Sequence, residues 1–137
     1  MVFKKLLIIT VLSVLPLKEA VSTEVELLAS TVYLEARGAS KREKFLVARA
    51  VVNRRAHKSF PTTIRQVIRE RKQFAHGKKI HKNSPAYKDS LAAARKALRI
   101  PANHKSVLYF HDKSYKKGFD WARPLIKTKH FIFYGNK

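Results

Sequence analysis

The sequence predicts an α+β domain, mainly helical, with a small antiparallel sheet at its C-terminal end. Three observations predict it. Helix-capping signals recur ahead of apolar residues at helical spacing as far as residue 99. Beyond Pro101 the texture changes to short β-branched and aromatic runs. The chain has 137 residues, 45% hydrophobic and 28% charged, which suits one compact domain with one small core.

Taken in order, the first segment stands apart. Lys4 and Lys5 precede an apolar run from Leu6 to Leu17, broken only by Thr10, Ser13 and Pro16, and Ala20-Val21-Ser22 forms a small-x-small cleavage site. A run of about 12 residues is short of the roughly 20 that span a bilayer as a helix. Residues 1–22 therefore read as a secretory signal peptide and 23–137 as the folded domain of an exported protein, with no stable membrane span.

Thr23-x-x-Glu26 is a capping box, followed by Val25, Leu28 and Val32 along one face. This helix is expected to stop near Arg37-Gly38, with Gly38 in the left-handed conformation. A second capping box, Ser40-x-x-Glu43, opens a helix carrying Phe45, Leu46, Ala48, Ala50, Val51 and Val52, apolar on most sides and so the expected core helix. Arg54, Arg55 and His57 suit its negative end. Phe60-Pro61 breaks the chain, and Thr63-x-x-Gln66 starts a short helix through Ile64, Val67 and Ile68. Residues 75–84 read as an exposed basic loop. Ser84-Pro85 then opens a helix to about Arg99, whose Ala92-Ala93-Ala94 permits close packing. Runs at 107–110 and 131–134 read as a strand pair, and the loop between them carries Trp121, the only tryptophan.

Charge and composition narrow the function. There are 30 Lys+Arg against 9 Asp+Glu, a net charge of +21. Cleavage after Ser22 removes Lys4, Lys5, Lys18 and Glu19, three positive charges and one negative, leaving +19. Such a chain seeks polyanions. Cysteine is absent, which excludes disulfides, thiolate metal sites and a Cys nucleophile. No phosphate-binding glycine loop, dinucleotide fingerprint, HExxH or GxSxG occurs. The six histidines are scattered, with His76 and His81 in the basic loop, so neither a metal nor a cofactor is expected.

Carboxylates are informative because they are few. Glu24, Glu26 and Glu43 sit in helix first turns as capping partners or dipole complements. Glu70 and Asp89 read as solvated helix-surface charges among basic neighbours. Glu35 differs, lying at the C-terminal end of the first helix, three residues after Val32 and seven after Leu28, on the core-facing side. The helix dipole and burial both disfavour its ionised form there, the environment of a general acid still protonated near neutral pH. The plain alternative is an ion pair with Arg37 or another arginine.

These residues fall within a recognisable series. Tyr33-Leu34-Glu35-Ala36-Arg37-Gly38, Val47 through Arg54, Phe60-Pro61-x-Thr63-Ile64-x-x-Val67-Ile68, Gln73-Phe74, Tyr109-Phe110-His111-Asp112, Trp121, and His130 with Phe133-Tyr134 follow in order. From about residue 27 to 134 the chain resembles the cell-wall hydrolase family of spore cortex-lytic enzymes. The resemblance implies a lysozyme-like helical domain with a catalytic Glu at a helix end, here Glu35. It also implies peptidoglycan as the partner, cleaved between N-acetylmuramic acid and N-acetylglucosamine. The chain departs from the family pattern at Ala39, where many members carry an acid, at Arg42, whose acidic counterpart is lost or shifted to Glu43, and at Asp112, where Asn is usual. The last motif is stretched to His130-Phe131-Ile132-Phe133-Tyr134.

Glu35 is thus the one well-placed acid. Hydrolases normally use two carboxylates, whereas a lytic transglycosylase manages with one, so transglycosylation is the expected chemistry. Asp112, Asp120 or Glu43 would serve if a second carboxylate is needed. Asn53, Gln73, Tyr109 and His111 are the expected hydrogen-bonders to sugar groups, and Phe74 and Trp121 the expected stacking surfaces. Arg37 and Arg54 are expected to orient Glu35, and His130 to be a structural hydrogen-bonder. A muramidase or amidase acting on the same polymer is the nearer alternative. A basic nucleic-acid-binding protein is the alternative from another class, but no nucleic acid is expected, since the basic residues spread through every helix rather than forming one stripe. The third option is a wall-binding protein without activity. A monomer is expected.

Overall fold

The computed structural model describes residues 23–70 and 79–137; the expected signal peptide, Gln73 and Phe74 lie outside them. Four helices, α1 (23–36), α2 (Lys41–Arg54), α3 (Ile64–Arg69) and α4 (Pro85–Arg99), precede three strands, β1 (Tyr109–Asp112), β2 (Arg123–Lys127) and β3 (Phe131–Gly135). Among the described residues no helix is long and apolar enough to cross a membrane.

The helices begin where their caps demand. The Ser40 hydroxyl accepts from Glu43 N while the Glu43 carboxylate accepts from Ser40 N, closing the reciprocal box. Thr63 and Ser84 accept from the third residue of α3 and α4 in the same way, and Pro85 occupies the first turn of α4. The end of α1 differs from expectation. Gly38 does not adopt a positive φ, which among the described glycines is found only at Gly118. A tight turn closes the helix instead, with Ala39 N donating to Ala36 O over 3.0 Å.

The core helix is α2, with Val47, Ala48, Ala50, Val51 and Val52 fully buried. Its main partner is α4, which presents Ala93, Ala94 and Ala97, side chains small enough for two helix backbones to approach closely.

The sheet has three strands rather than two, in the order β1-β3-β2, all antiparallel. Tyr109 faces Tyr134 and Asp112 faces Phe131 across β1 and β3. The expected first strand lies two residues further on, because the carbonyls of Val107 and Leu108 are taken by α2 side chains. The unexpected strand, Arg-Pro-Leu-Ile-Lys, lacks alternation and contains Pro124. Proline is accommodated because β2 is an edge strand and its pairing is irregular between Pro124 and Ile126.

Polar side chains of α2 fasten the two halves together. Arg49 donates to the carbonyls of Ala97 (2.7 Å), Ile100 (2.8 Å) and Pro101 (2.8 Å), and to Asn53 Oδ1 (2.8 Å). Asn53 Oδ1 also accepts from Asn103 N at 2.9 Å, and its Nδ2 donates to Val107 O at 2.9 Å. Arg54 Nε donates to Leu108 O at 2.7 Å. Asn53 is 0% exposed, so its side chain makes its bonds away from water. Asn53→Ala leaves buried backbone groups without partners, each costing about 1–3 kcal/mol. We expect it to lower stability by about 3 kcal/mol in urea denaturation.

Candidate active site

A cleft of about 630 Å³ lies where the end of α1, the end of α2, the 59–60 turn, Glu70 and β1 meet. Glu35, the penultimate residue of α1, is half-buried on its wall. Much of the lining is aromatic. Tyr109 meets Trp121 edge-on at 4.9 Å, and Trp121 stacks on Phe119 at 4.9 Å. Phe119 in turn packs on the His111 and Tyr134 rings. Gly118, at φ 71°, folds the loop back so that Phe119 reaches those rings. Trp121 remains 54% exposed, which leaves an indole surface open for stacking on a sugar ring.

Arg54 is the fixed cation of the cleft. Its guanidinium lies 4.9 Å from the centre of Phe60 and 5.4 Å from that of Tyr109, with Nε held by Leu108 O. Burial lowers its pKa to about 10, against the opposing influence of Tyr109 and Glu70, so it stays charged at neutral pH. Asp112 reaches the cleft from β1, with Oδ1 accepting from Ser114 N at 2.7 Å. Its hydrogen bonds to Ser114 hold its carboxyl below the usual range.

Other expected site residues are occupied elsewhere. Asn53 is wholly enclosed and its amide fully engaged, so it fastens β1 in place rather than meeting sugar. His111 lines the cleft, but Nδ1 lies 2.8 Å from Asp112 O and Nε2 2.7 Å from the Tyr134 hydroxyl. A carbonyl only accepts, so Nδ1 donates to Asp112 O, and the Tyr134 hydroxyl occupies Nε2, leaving neither nitrogen for a ligand. Arg37 lies over the Tyr33 ring at 5.2 Å and does not line the cleft. Asp120 does not line it either, and its carbonyl accepts from Lys137.

Glu43 and His130 form a separate structure on another face. The Glu43 carboxylate, 2% exposed, accepts from Thr128 Oγ1 (2.6 Å), His130 N (2.8 Å), His130 Nδ1 (3.0 Å) and Ser40 N (3.1 Å). Burial alone would push its pKa up, but bonds from His130, Thr128 and the Ser40 and His130 backbone outweigh it and hold the carboxyl far below its ordinary range. Glu43 therefore ties the β2–β3 turn to the start of α2, with His130 among its partners.

The sequence profile of the cell wall hydrolase family matches residues 38–134. The chain belongs to that family. Glu35 lies three residues before the matched stretch. Two solved structures share the fold. One is the catalytic domain of the germination-specific lytic transglycosylase SleB from Bacillus anthracis, with TM-score 0.66 and 24% identity over 81% of this chain and 93% of that one. The other is the catalytic domain of the Bacillus cereus SleB protein, with TM-score 0.68 and 24% identity over 82% and 90%. No curated protein matches the chain.

Glu70, Phe60 and Phe119 line the cleft of this family member without having been expected there. Glu70 is not on a helix face. It caps α3 with extended backbone (φ −64°, ψ 126°), so helical periodicity does not describe where its side chain goes. Phe60 carried a visible signal in the Phe-Pro break, which marked a turn but not its proximity to Arg54.

The Glu43 network predicts a pH dependence. Its folded pKa is depressed, so its contribution is present above the ordinary carboxyl value near 4.3 and is lost as pH falls below it. Thermal melts should show Glu43→Gln less stable than wild type at pH 7, with the difference shrinking between about pH 4.3 and pH 2.

Proposed function

We propose that this chain cleaves the glycan strand of peptidoglycan between N-acetylmuramic acid and N-acetylglucosamine, with Glu35 as acid and then base. The observation that carries the reading is a half-buried carboxyl at a helix end, on the wall of an aromatic cleft, in a cell wall hydrolase. Glu35 gives its proton to the glycosidic oxygen as the bond to the muramic anomeric carbon breaks. The resulting carboxylate takes the proton of the muramic 6-hydroxyl, whose oxygen attacks the anomeric carbon and closes a 1,6-anhydro ring. Trp121 and Tyr109 offer faces for sugar stacking. The substrate lies outside the cytoplasmic membrane, and the apolar start of the chain supports export to it.

Glu70 and Asp112 on the same cleft favour a second reading, hydrolysis by a carboxylate pair that activates water. Mass spectrometry of digested sacculi separates the two. Anhydro-muropeptides establish transglycosylation, reducing muramic ends establish hydrolysis, and released free peptides overturn both in favour of an amidase.

Glu35→Gln keeps size and polarity but removes the transferable proton. We expect cleavage to fall by about 10² to 10⁴ while binding to sacculi persists, measured by turbidity loss and by co-sedimentation. Binding should also weaken as salt rises, since the screening length shrinks from about 10 Å at 0.1 M to about 3 Å at 1 M. Retention unaffected by salt would assign recognition to stacking and hydrogen bonds alone.

A further inference from the structure

We propose that a second cavity, between the 38–40 and 128–130 turns, binds a carboxylate of the stem peptide borne by the muramic residue, with Arg42 and Lys129 as its cations. The inference rests on peptidoglycan being the substrate and Glu35 the acid. The cavity, of about 400 Å³, is lined by both turns and by Arg42 and Glu43 of α2. It adjoins the catalytic cleft along two segments of chain. On the first, Glu35 lines the cleft and Gly38 the cavity; on the second, His130 lines the cavity and Phe131, the next residue, the cleft. Lys113, next to the cleft residue Asp112, donates from N to His130 O over 2.8 Å. Three Cα steps of about 3.8 Å place Gly38 within about 11 Å of Glu35. An extended peptide advances about 3.3–3.6 Å per residue, so a stem rooted on a muramic residue at Glu35 covers that gap within a few residues.

One buried carboxylate fixes the backbone under both cations. Glu43, 2% exposed, accepts from Ser40 N ahead of α2, and from Thr128 Oγ1 and His130 N on either side of Lys129. Arg42 therefore stands on a capped first turn, and Lys129 on a turn pinned at both flanks. Both residues are exposed, and among the described residues neither has a carboxylate partner. Glu43 is the only acid among the described residues lining the cavity. Its two oxygens already accept from Ser40, Thr128 and His130, so it belongs to the wall and competes for neither cation. An anion docking between Arg42 and Lys129 breaks no existing ion pair, which favours its capture. N-acetylated sugars carry no charge, whereas a stem peptide carries free carboxylates, so the stem supplies the anion.

The test measures kcat and KM on solubilised glycan strands at about 0.15 M salt. The strands carry native stems, stems whose carboxylates are converted to methylamides, or no stems after amidase treatment. The variants are R42Q/K129Q, the charge-keeping R42K/K129R, and K88Q/R99Q, which takes the same two charges from exposed positions of α4. On native stems we expect R42Q/K129Q to raise KM about five- to tenfold with kcat within about twofold of wild type, since exposed ion pairs are individually weak and two act together. On methylamide or stem-free strands its KM should lie within about twofold of wild type. The other two variants should stay within about twofold on every strand. An equal rise in K88Q/R99Q makes the effect one of net charge and overturns the proposal, as does an unmoved KM or a rise that persists on methylamide strands. A rise that persists on stem-free strands also overturns it, because the lactyl carboxylate is then the anion. If a thermal melt shows R42Q/K129Q unfolded, R42Q and K129Q decide singly: an unmoved KM in both overturns the proposal. Active E35Q instead refutes Glu35 as the acid, whereas inactive E35Q with an unmoved R42Q/K129Q KM refutes the stem site alone.

Discussion

The structure depends on three polar side chains at the end of α2 that reach across to backbone roughly fifty residues away. Arg49, Asn53 and Arg54 take up carbonyls between residues 97 and 108, the stretch that carries the chain from α4 into β1. From residue 100 to 108 that stretch is neither helix nor strand, so its backbone groups there have no regular partners of their own. Supplying partners from a rigid buried helix solves two problems together. It satisfies the carbonyls, and it places β1 at a definite distance from the ends of α1 and α2, where the cleft forms.

The same bonds set the electrostatics of the site. Arg54 uses its Nε on Leu108 and presents the rest of its guanidinium to the cleft between two aromatic rings. The protein as a whole is strongly basic, yet the described lining of this cleft holds one arginine, three carboxyls and mostly aromatic surface. Surface lysines and arginines act through screened solvent and draw the chain to polyanions. A single fixed cation on the cleft wall acts on its neighbours at far closer range.

The few carboxylates divide by environment. Glu43 is held ionised by four donors and serves the fold, while Glu24 pairs with Arg55 at 3.1 Å on the surface. Glu35 sits half-buried where a helix ends, on the wall of an aromatic cleft, an environment suited to exchanging a proton rather than fixing a charge. The residue type is the same in each case, and the surroundings decide the role.

The sequence by itself determined the helical order, the core helix and the place of Glu35. Caps, apolar spacing and breaks act within a few residues of themselves, so Ser40, Thr63 and Ser84 announce their helices locally. It also carried the family, through short motifs in fixed order. Only the tertiary structure decided which motif residues meet. Asn53 and His111 sit in the motifs but turned to backbone and Tyr134, which claimed their polar atoms. β2 escaped notice because an edge strand with a proline is stabilised by its neighbour β3 and not by its own pattern. Glu70 reaches the cleft where the backbone at the end of α3 turns to an extended conformation, a position that the helical period does not describe.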